Sequence, residues 1–454
     1  MHSPRLSRTG IAGLIATFAT PALADLNDVP NLTPVQAPVA STVQTICPTL
    51  AGSTGETQKL FVSCRALVQT SNAQQGSGAT AFDMGLTESQ LAEALQGIAP
   101  EEAGIQARSQ INTPGLGALQ SRLFELHAGA SGFQLSALDI YTPNRTITAE
   151  QLFGKASTGG AASTDGTGSR WGGFLNAAYF FGDKDTTDLE NGFDFDSWTI
   201  TGGVDYRLRE NLVIGTALTY ATTKADISQS LGDSDSDSYS LSLYGTYYRD
   251  NFYVDAHASY SMIDFETARR IFVPSFTAVP SISTTAEGDT DGDQFTFVLG
   301  AGYDVNRGAF TFTPYGRVSY LNLDIDSYTE SEPLAGLALD VNSQSVKSLQ
   351  TALGIRLAYA MSRSFGALVP QVSAEWNHEF KNDDRNITAK YTNDPNNSFF
   401  AIPTADPDRN FFTVSAGVSA VFQKGASAFV NVQTVIGLED VNSTGVSAGV
   451  RMEF

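Results

Sequence analysis

One serine in the sequence has the spacing of a hydrolase nucleophile. Gly445, Ser447 and Gly449 form a Gly-x-Ser-x-Gly motif, which exposes its serine on a sharp turn between a strand and a helix. Here the motif lies inside an alternating run that predicts the last strand of the chain, so that turn cannot form. A serine site before residue 170 would also need His127, the only histidine between residues 25 and 170. We therefore predict no catalytic residues and no enzyme, with a surface hydrolase as the least favoured alternative.

Two runs of alternating acidic residues have the spacing of ligands for a hard cation. The runs are Asp233, Asp235 and Asp237, and Asp289, Asp291 and Asp293. The second run resembles the opening of a calcium loop, but its twelfth position is Gly300 instead of the glutamate that completes such a site. We interpret both runs as solvated loops and predict neither a metal site nor a cofactor. Calcium binding by these loops stays the alternative.

The N-terminus has the organisation of a secretory signal peptide. Arg5 and Arg8 form a positive start, residues 10–20 are apolar or small, and Ala22-Leu23-Ala24 is a small-x-small cleavage site. We therefore predict that residues 1–24 direct export through the general secretion translocon. The apolar stretch is too short for a membrane-spanning helix, and no later window of about 18 apolar residues exists, so any bilayer-spanning segment must be a strand.

The two cysteines, Cys47 and Cys64, are the only ones in the chain. An exported cysteine pair most often forms a disulfide, and closing this loop would stabilise the region by about 3 kcal/mol. A zinc site needs further ligands that a lone pair does not supply. We therefore predict a structural disulfide.

The mature chain is strongly acidic. Without Arg5 and Arg8, the 27 basic residues fall to 25, against 48 acidic residues, for a formal charge of −23. Nucleic-acid binding needs a basic face for the phosphates. We therefore predict no nucleic-acid partner.

Helical signals occupy residues 25–143, which we predict to be a short, mostly helical domain. Residues 25–56 are rich in Pro, Thr, Ser and Ala and predict an extended or flexible leader. Capping-box spacing follows at Ser53 with Glu56 and at Thr87 with Gln90, and apolar residues then recur on helical faces: Leu60, Cys64, Leu67 and Val68; Leu91 and Leu95; and, within 116–127, Leu119, Leu123 and Leu126. Residues 144–169 predict a linking helix, at 148–155, and a flexible Gly/Ser/Thr linker.

From residue 170 to residue 454 the pattern changes to alternation of apolar with polar or small residues. The runs predict twelve strands: 171–182, 193–208, 212–226, 238–249, 252–268, 294–306, 310–328, 344–361, 366–380, 410–422, 427–439 and 442–454. Short turns alternate with longer connections, as in bacterial outer-membrane barrels, where the short turns are periplasmic. The sequence thus predicts an all-β membrane protein, a twelve-stranded antiparallel transmembrane β-barrel.

The two faces of these strands differ as a barrel in lipid requires. In the last strand Val446, Ala448, Val450, Met452 and Phe454 form one apolar face. Charged residues lie on the opposite faces, which suits a wet lumen: Asp255, His257, Arg317, Arg356, Glu375, Glu379, Glu439, Arg451 and Glu453. Aromatic residues at strand ends predict interfacial girdles: Tyr179, Phe180, Phe181, Tyr247, Tyr248, Phe252, Tyr253, Tyr320, Tyr359 and Trp376. A soluble β-sandwich is the alternative that these features disfavour.

An even strand count places both ends of the barrel on the short-turn side. The N-terminal domain must therefore stay in the periplasm or pass through the pore to the outside. A twelve-stranded barrel is wide enough to hold one helix, and the helix at 148–155 is the candidate. Periodicity alone leaves both locations open.

This pattern resembles the autotransporter (type V secretion) family. Trp171-Gly172-Gly173-Phe174 is similar to the family's first-strand motif, and the terminal residues with Val450, Met452 and Phe454 are similar to the signal by which the barrel-assembly machinery recognises its substrates. The resemblance implies a barrel in outer-membrane lipid that translocates or displays its own passenger, with an unknown surface ligand. An outer-membrane pore or structural barrel with a periplasmic or plugging N-terminal domain is the alternative.

Two departures from the family concern the passenger. It is about 120 residues long and lacks the repeats of β-solenoid passengers, and the Asn-Asn junction of self-cleaving members is absent between residues 140 and 170. The Gly-Asp-Ser-Leu motif of lipase passengers is also absent, because Gly232-Asp233-Ser234 continues with Asp235.

Overall fold

A computed structural model describes residues 25–100, 119–120, 122–123, 126, 140–142, 145–147, 170–381, 385–406, 408–422 and 426–453. Helices α1 (Gln36–Ile46), α2 (Glu56–Gln75) and α3 (Glu88–Gly97) form the N-terminal part. No helix among the described residues is both long and apolar enough to cross a membrane. We call residues 25–99 the cap.

Helix α1 lies where the sequence predicted an extended or flexible leader, so that prediction was wrong. Val39, Val43 and Ile46 recur at helical spacing and are buried, and Pro38 is tolerated because it lies in the first turn. The predicted capping box opens α3, where Thr87 and Gln90 exchange hydrogen bonds. At α2 the cap residue is Gly55, not Ser53.

Twelve long antiparallel strands form the rest of the fold: β1 (Trp171–Lys184), β2 (Phe193–Arg209), β3 (Leu212–Ile227), β4 (Gly232–Arg249), β5 (Phe252–Val273), β6 (Ile282–Tyr303), β7 (Phe310–Ile325), β8 (Gln344–Tyr359), β9 (Gly366–Glu379), β10 (Asn410–Phe422), β11 (Ser427–Ile436) and β12 (Val441–Glu453). Each strand pairs with its neighbour in sequence. β12 also pairs with β1, for example Val446 with Tyr179, so the sheet closes into a barrel. The predicted fold class is therefore confirmed.

Strands β4, β5 and β6 reach further beyond the membrane than the sequence predicted. The acidic runs that we interpreted as loops lie on β4 and β6, with Asp237 paired to Asp264 and Asp264 paired to Asp291. That interpretation was wrong because the acidic residues alternate with small or polar ones, such as Ser236 on β4 and Thr290 on β6. Neither face of these parts is apolar, so the sequence does not mark them as strands.

On β5 the apolar residues change from the outer face to the inner face, and this change shows where the strand leaves the lipid. On the outer face of β5 the exposed residues Tyr260 and Met262 are followed by Asp264, whereas on the inner face Ser261 is followed by the buried Ile263. Tyr260 donates a hydrogen bond to Asp293 (2.6 Å), and Tyr220 donates one to Asp237 (2.9 Å). An aromatic girdle with acidic residues directly beyond it is the expected boundary between lipid and water.

The aromatic residues predicted for the girdles divide between the two faces. Phe180, Tyr248 and Tyr253 point into the barrel, because they have the inward parity of their strands. Girdle residues that the sequence analysis missed are exposed on the outer face: Trp171, Trp198, Tyr220, Tyr239 and Tyr260.

The long-connection end of the barrel carries a small sheet of its own. Strands Tyr328–Thr329, Leu339–Val341, Asn386–Tyr391 and Phe400–Pro403 pair in that order. We use the name dock for this sheet, its connecting loops and residues 269–286. Those residues comprise the end of β5, the loop after it and the start of β6. The cap helices and the dock share one hydrophobic core.

Candidate functional site

The lumen of the barrel holds a part of the described N-terminal chain. Leu119, Leu123 and Leu126 are buried against lumen-facing residues near the short turns after β2 and β4: Val213, Ala217, Tyr244, Tyr248 and Tyr253. Their helical spacing predicted that these leucines belong to the passenger, whereas the structure places them inside the barrel.

A buried ion pair anchors this lumenal segment. The Arg122 guanidinium and the Asp205 carboxylate of β2 are 1% and 5% exposed, and Arg122 Nε donates to Asp205 Oδ2 at 2.8 Å. The Tyr244 hydroxyl donates to the same carboxylate oxygen (3.1 Å), and the guanidinium lies 5.6 Å from the centre of the Phe174 ring. A charge in this position is costly unless it is paired and hydrogen-bonded, so the pairing holds the segment in register.

The glycine of the first-strand motif makes room for this anchor. A Cβ on Gly172 would lie 2.7 Å from Asp205 Oδ1 and 3.1 Å from Arg122 Nη2. Any larger residue would therefore displace the ion pair.

Polar lumen residues surround a chamber of about 70 Å³ beside this segment. Arg317 of β7 pairs with Glu375 of β9 (2.8 Å), and the Tyr315 hydroxyl donates to Glu375 (2.8 Å). His257 also lines the chamber, and neither of its ring nitrogens has a hydrogen-bond partner among the described residues. The predicted lumen residues that thus come together are Asp255, His257, Arg317, Arg356 and Glu375, whereas Glu379 lies at the long-connection end. Glu439 was misplaced, because β11 ends at Ile436 and Glu439 lies in the following turn.

A second cavity of about 320 Å³ lies at the long-connection end, between β1, β8, β9 and β12. Its lining includes Lys347, Glu379 and Asp408. Glu379 accepts hydrogen bonds from Ser348 and from two backbone N–H groups. Burial raises the pKa of the Asp408 carboxyl, and the Glu439 and Asp440 carboxylates add to that rise.

The predicted disulfide residues meet in the cap. Cys47 and Cys64 are bonded, with 5.7 Å between their Cα atoms, and the bond joins the end of α1 to α2. Cys64 is on the buried face of α2.

The residues of the predicted assembly signal lie on the lipid-facing side of β12. Val450 is 55% exposed and Met452 is 61% exposed, whereas Phe454 lies outside the described residues. Ser447 lies within β12, where the sequence analysis expected no nucleophile turn.

Other predicted features give no metal or catalytic cluster in the described part of the chain. Among those residues, no three His, Cys, Asp or Glu side chains converge in a group that could hold a metal ion. His127 and the predicted linking helix at 148–155 lie outside the described residues, while the nearby segments Ile140–Thr142 and Arg145–Ile147 pair as short strands.

Comparisons with known proteins agree with this architecture. Residues 173–433 match the autotransporter beta-domain family. The chain is similar to esterase EstA of Pseudomonas aeruginosa (26% identity over 255 residues, 55% of this chain) and to the uncharacterized protein YaiT of Salmonella typhimurium (29% over 216 residues, 46% of this chain). This chain spans 38% and 20% of the lengths of those relatives.

The fold is also that of a solved translocator. The translocator domain of autotransporter NalP from Neisseria meningitidis superposes with a TM-score of 0.50 at 17% identity, covering 64% of this chain and 91% of that one. The barrel strands and their closure agree with the family match, which covers more than half of the chain. The chain belongs to the autotransporter beta-domain family, and its barrel lies in the outer membrane.

Proposed function

We propose that this protein passes its own N-terminal segment through the barrel and displays the cap at the cell surface. The order of the chain supports this function. The cap packs against the long-connection end, Arg122 is anchored in the lumen near the short turns, and Trp171 begins β1 at the short-turn end. Long connections face outward in such barrels, so a chain with these contacts threads the pore.

The alternative of a periplasmic N-terminal domain has less support. A cap on the periplasmic side could not pack against the dock, because the core that the two share lies at the opposite end of the barrel. The position of the lumenal segment in the barrel thus favours the display hypothesis over that of a pore or structural barrel with a periplasmic domain.

A protease experiment on intact cells tests display. An epitope tag is inserted at Gly76, in the exposed turn after α2, and the cells are treated with external protease. We expect digestion of the tag without permeabilisation. A tag that is digested only after the outer membrane is opened would rule out display and favour the periplasmic alternative.

We propose no enzymatic activity for the cap, although EstA carries the name of an esterase. The sequence from residue 25 to residue 100 contains no histidine, so a Ser-His-Asp site there would need a distant base. Purified protein should not hydrolyse ester substrates. Ester hydrolysis that His127→Ala abolishes would overturn this proposal.

A further inference from the structure

The cap and the dock together form one core, with 20 buried residues from the cap and 12 from the dock. From the cap, the buried residues include Val39, Val43, Leu60 and Leu67. The dock contributes a smaller apolar set: Ile271, Val273, Ala286, Ala335, Leu337, Leu339, Val341, Ile387, Ala389, Tyr391, Phe400 and Ile402. Without the cap this surface of the dock would be in water, and soluble surfaces rarely expose apolar patches of that size.

The backbones of the two parts approach closely at one point. Gly336 has φ +71°, and a Cβ added to it would lie 2.5 Å from the backbone nitrogen of Leu60 in α2. Flanking hydrogen bonds fix this contact: Lys59 Nζ donates to the Pro333 carbonyl (2.7 Å), and Ser63 Oγ donates to the Ala335 carbonyl (2.8 Å). The loop around Gly336 thus has the shape that α2 requires.

Other polar contacts join the cap to the dock around the core. The buried Arg269 of β5, paired with Glu330, donates from Nη1 to the Gly97 carbonyl at the end of α3 (3.3 Å). The Phe276 backbone nitrogen donates to the Met84 carbonyl (2.7 Å), and Asn396 Nδ2 donates to Thr49 Oγ1 (2.8 Å). These contacts involve all three cap helices or their connections, so the cap is held along its whole length.

We propose that the cap is completed by the dock and stays bound to it, as a retained lid over the β5–β9 side of the outer mouth. More than a third of the core comes from residues more than 150 positions later in the chain, so the exported segment reaches its final fold only on the assembled barrel. This inference rests on the proposed display function. It adds that the displayed segment is a docked part of the barrel and not a released passenger.

Two leucines of the same dock loop provide a matched test. Leu337 is 1% exposed in the shared core, whereas Leu334 is 66% exposed. With the Gly76 tag in place, Leu337→Asp should make external protease digest the cap at least about ten-fold faster. The reason is that the aspartate disrupts the shared core, which lowers the free energy needed to open the cap. Leu334→Asp should leave the digestion rate unchanged. Barrel assembly is followed separately by the heat-dependent shift in electrophoretic mobility, and Leu337→Ala replaces the aspartate variant if assembly fails.

The possible results distinguish a failure of the lid proposal from a failure of the display proposal. If the cap of the Leu337 variant is digested at the wild-type rate while the barrel is assembled, the cap folds alone and the lid is ruled out. If the wild-type tag is never accessible on intact cells, display fails, and the same pair of variants is compared in purified full-length protein in detergent. In that comparison, equal digestion rates of the two variants again rule out the lid, and faster digestion of the Leu337 variant supports it.

Discussion

A single buried arginine connects the lumenal segment to the wall of the barrel. Arg122 and Asp205 have little access to water, and the carboxylate also accepts a hydrogen bond from Tyr244. The net energy of a buried pair is small, but removal of one partner leaves the other charge buried without compensation. The pair therefore fixes the position of the lumenal segment along the barrel wall, because Arg122 can meet Asp205 at only one position of the segment.

This property predicts how the pore responds to substitution. Arg122→Met or Asp205→Asn alone should weaken docking of the lumenal segment by about 3 kcal/mol, and the double variant by less, because it leaves no lone charge. Ion conductance in planar bilayers should increase most for the single variants. The exposed outer-face pair of Arg270 and Asp233 is the control, and Arg270→Met should conduct as the wild type does. Single variants at the lumenal pair with wild-type conductance would show that the pair does not hold the segment.

The Glu332 carboxylate fixes the conformation of the dock loop at residues 332–337. Glu332 is 7% exposed and accepts hydrogen bonds from the Thr284 hydroxyl and from the backbone N–H groups of Leu334, Ala335 and Leu337. Burial raises the pKa of Glu332, but these hydrogen bonds outweigh burial and lower the pKa below its ordinary value of 4.5. The ionised carboxylate thus positions the loop that carries Gly336 and Leu337 against the cap.

A carboxyl whose pKa is lowered in the folded state stabilises that state above its unfolded pKa, and this stabilisation is lost as pH falls through the folded value. The amides of Ala335 and Leu337 should therefore lose hydrogen-exchange protection as pH falls below about 4.5. Glu332→Gln should lower the free energy of opening of this loop by about 1–3 kcal/mol at neutral pH. The hydrogen-exchange protection of the loop should then depend less on pH. Glu88→Gln, at an exposed position of α3, serves as the control. Equal protection in Glu332→Gln and the wild type would show that the carboxylate does not organise the loop.

At the scale of the whole molecule, the barrel has one surface for lipid and one for its own chain. β12 closes the barrel against β1 and presents Val450 and Met452 to the lipid, in line with the predicted role of Val450, Met452 and Phe454 as an assembly signal. We propose that the barrel-assembly machinery recognises this strand end.

Deletion of Phe454 should therefore lower the amount of heat-modifiable barrel in outer-membrane fractions. Phe412→Ala is the matched control, because Phe412 is an aromatic residue 53% exposed on the lipid face of β10, away from the terminus. We expect near-normal levels of that variant. Equal levels of the two variants would contradict the assembly signal.

The sequence by itself determined the barrel, because strand periodicity and turn length are local properties. Alternation such as that of Val446, Ala448 and Val450 shows which side of a strand faces lipid without any knowledge of its partner. Local signals also identified α3, where the capping residues and the apolar spacing agree, and α2, where the apolar spacing was right but the predicted cap was not. They failed on β4 and β6 beyond the membrane, since the acidic residues there alternate with small or polar residues and neither face is apolar.

Only the tertiary structure decided where the N-terminal segment lies. Leu119 and Leu123 have ordinary helical spacing, and no local signal distinguishes a helix of a separate domain from one inside a barrel. The cap likewise depends on contacts such as that between Ser63 and Ala335, which are 272 positions apart. Such a contact is a property of two surfaces that meet only after the chain has folded, so periodicity within either segment could not reveal the shared core.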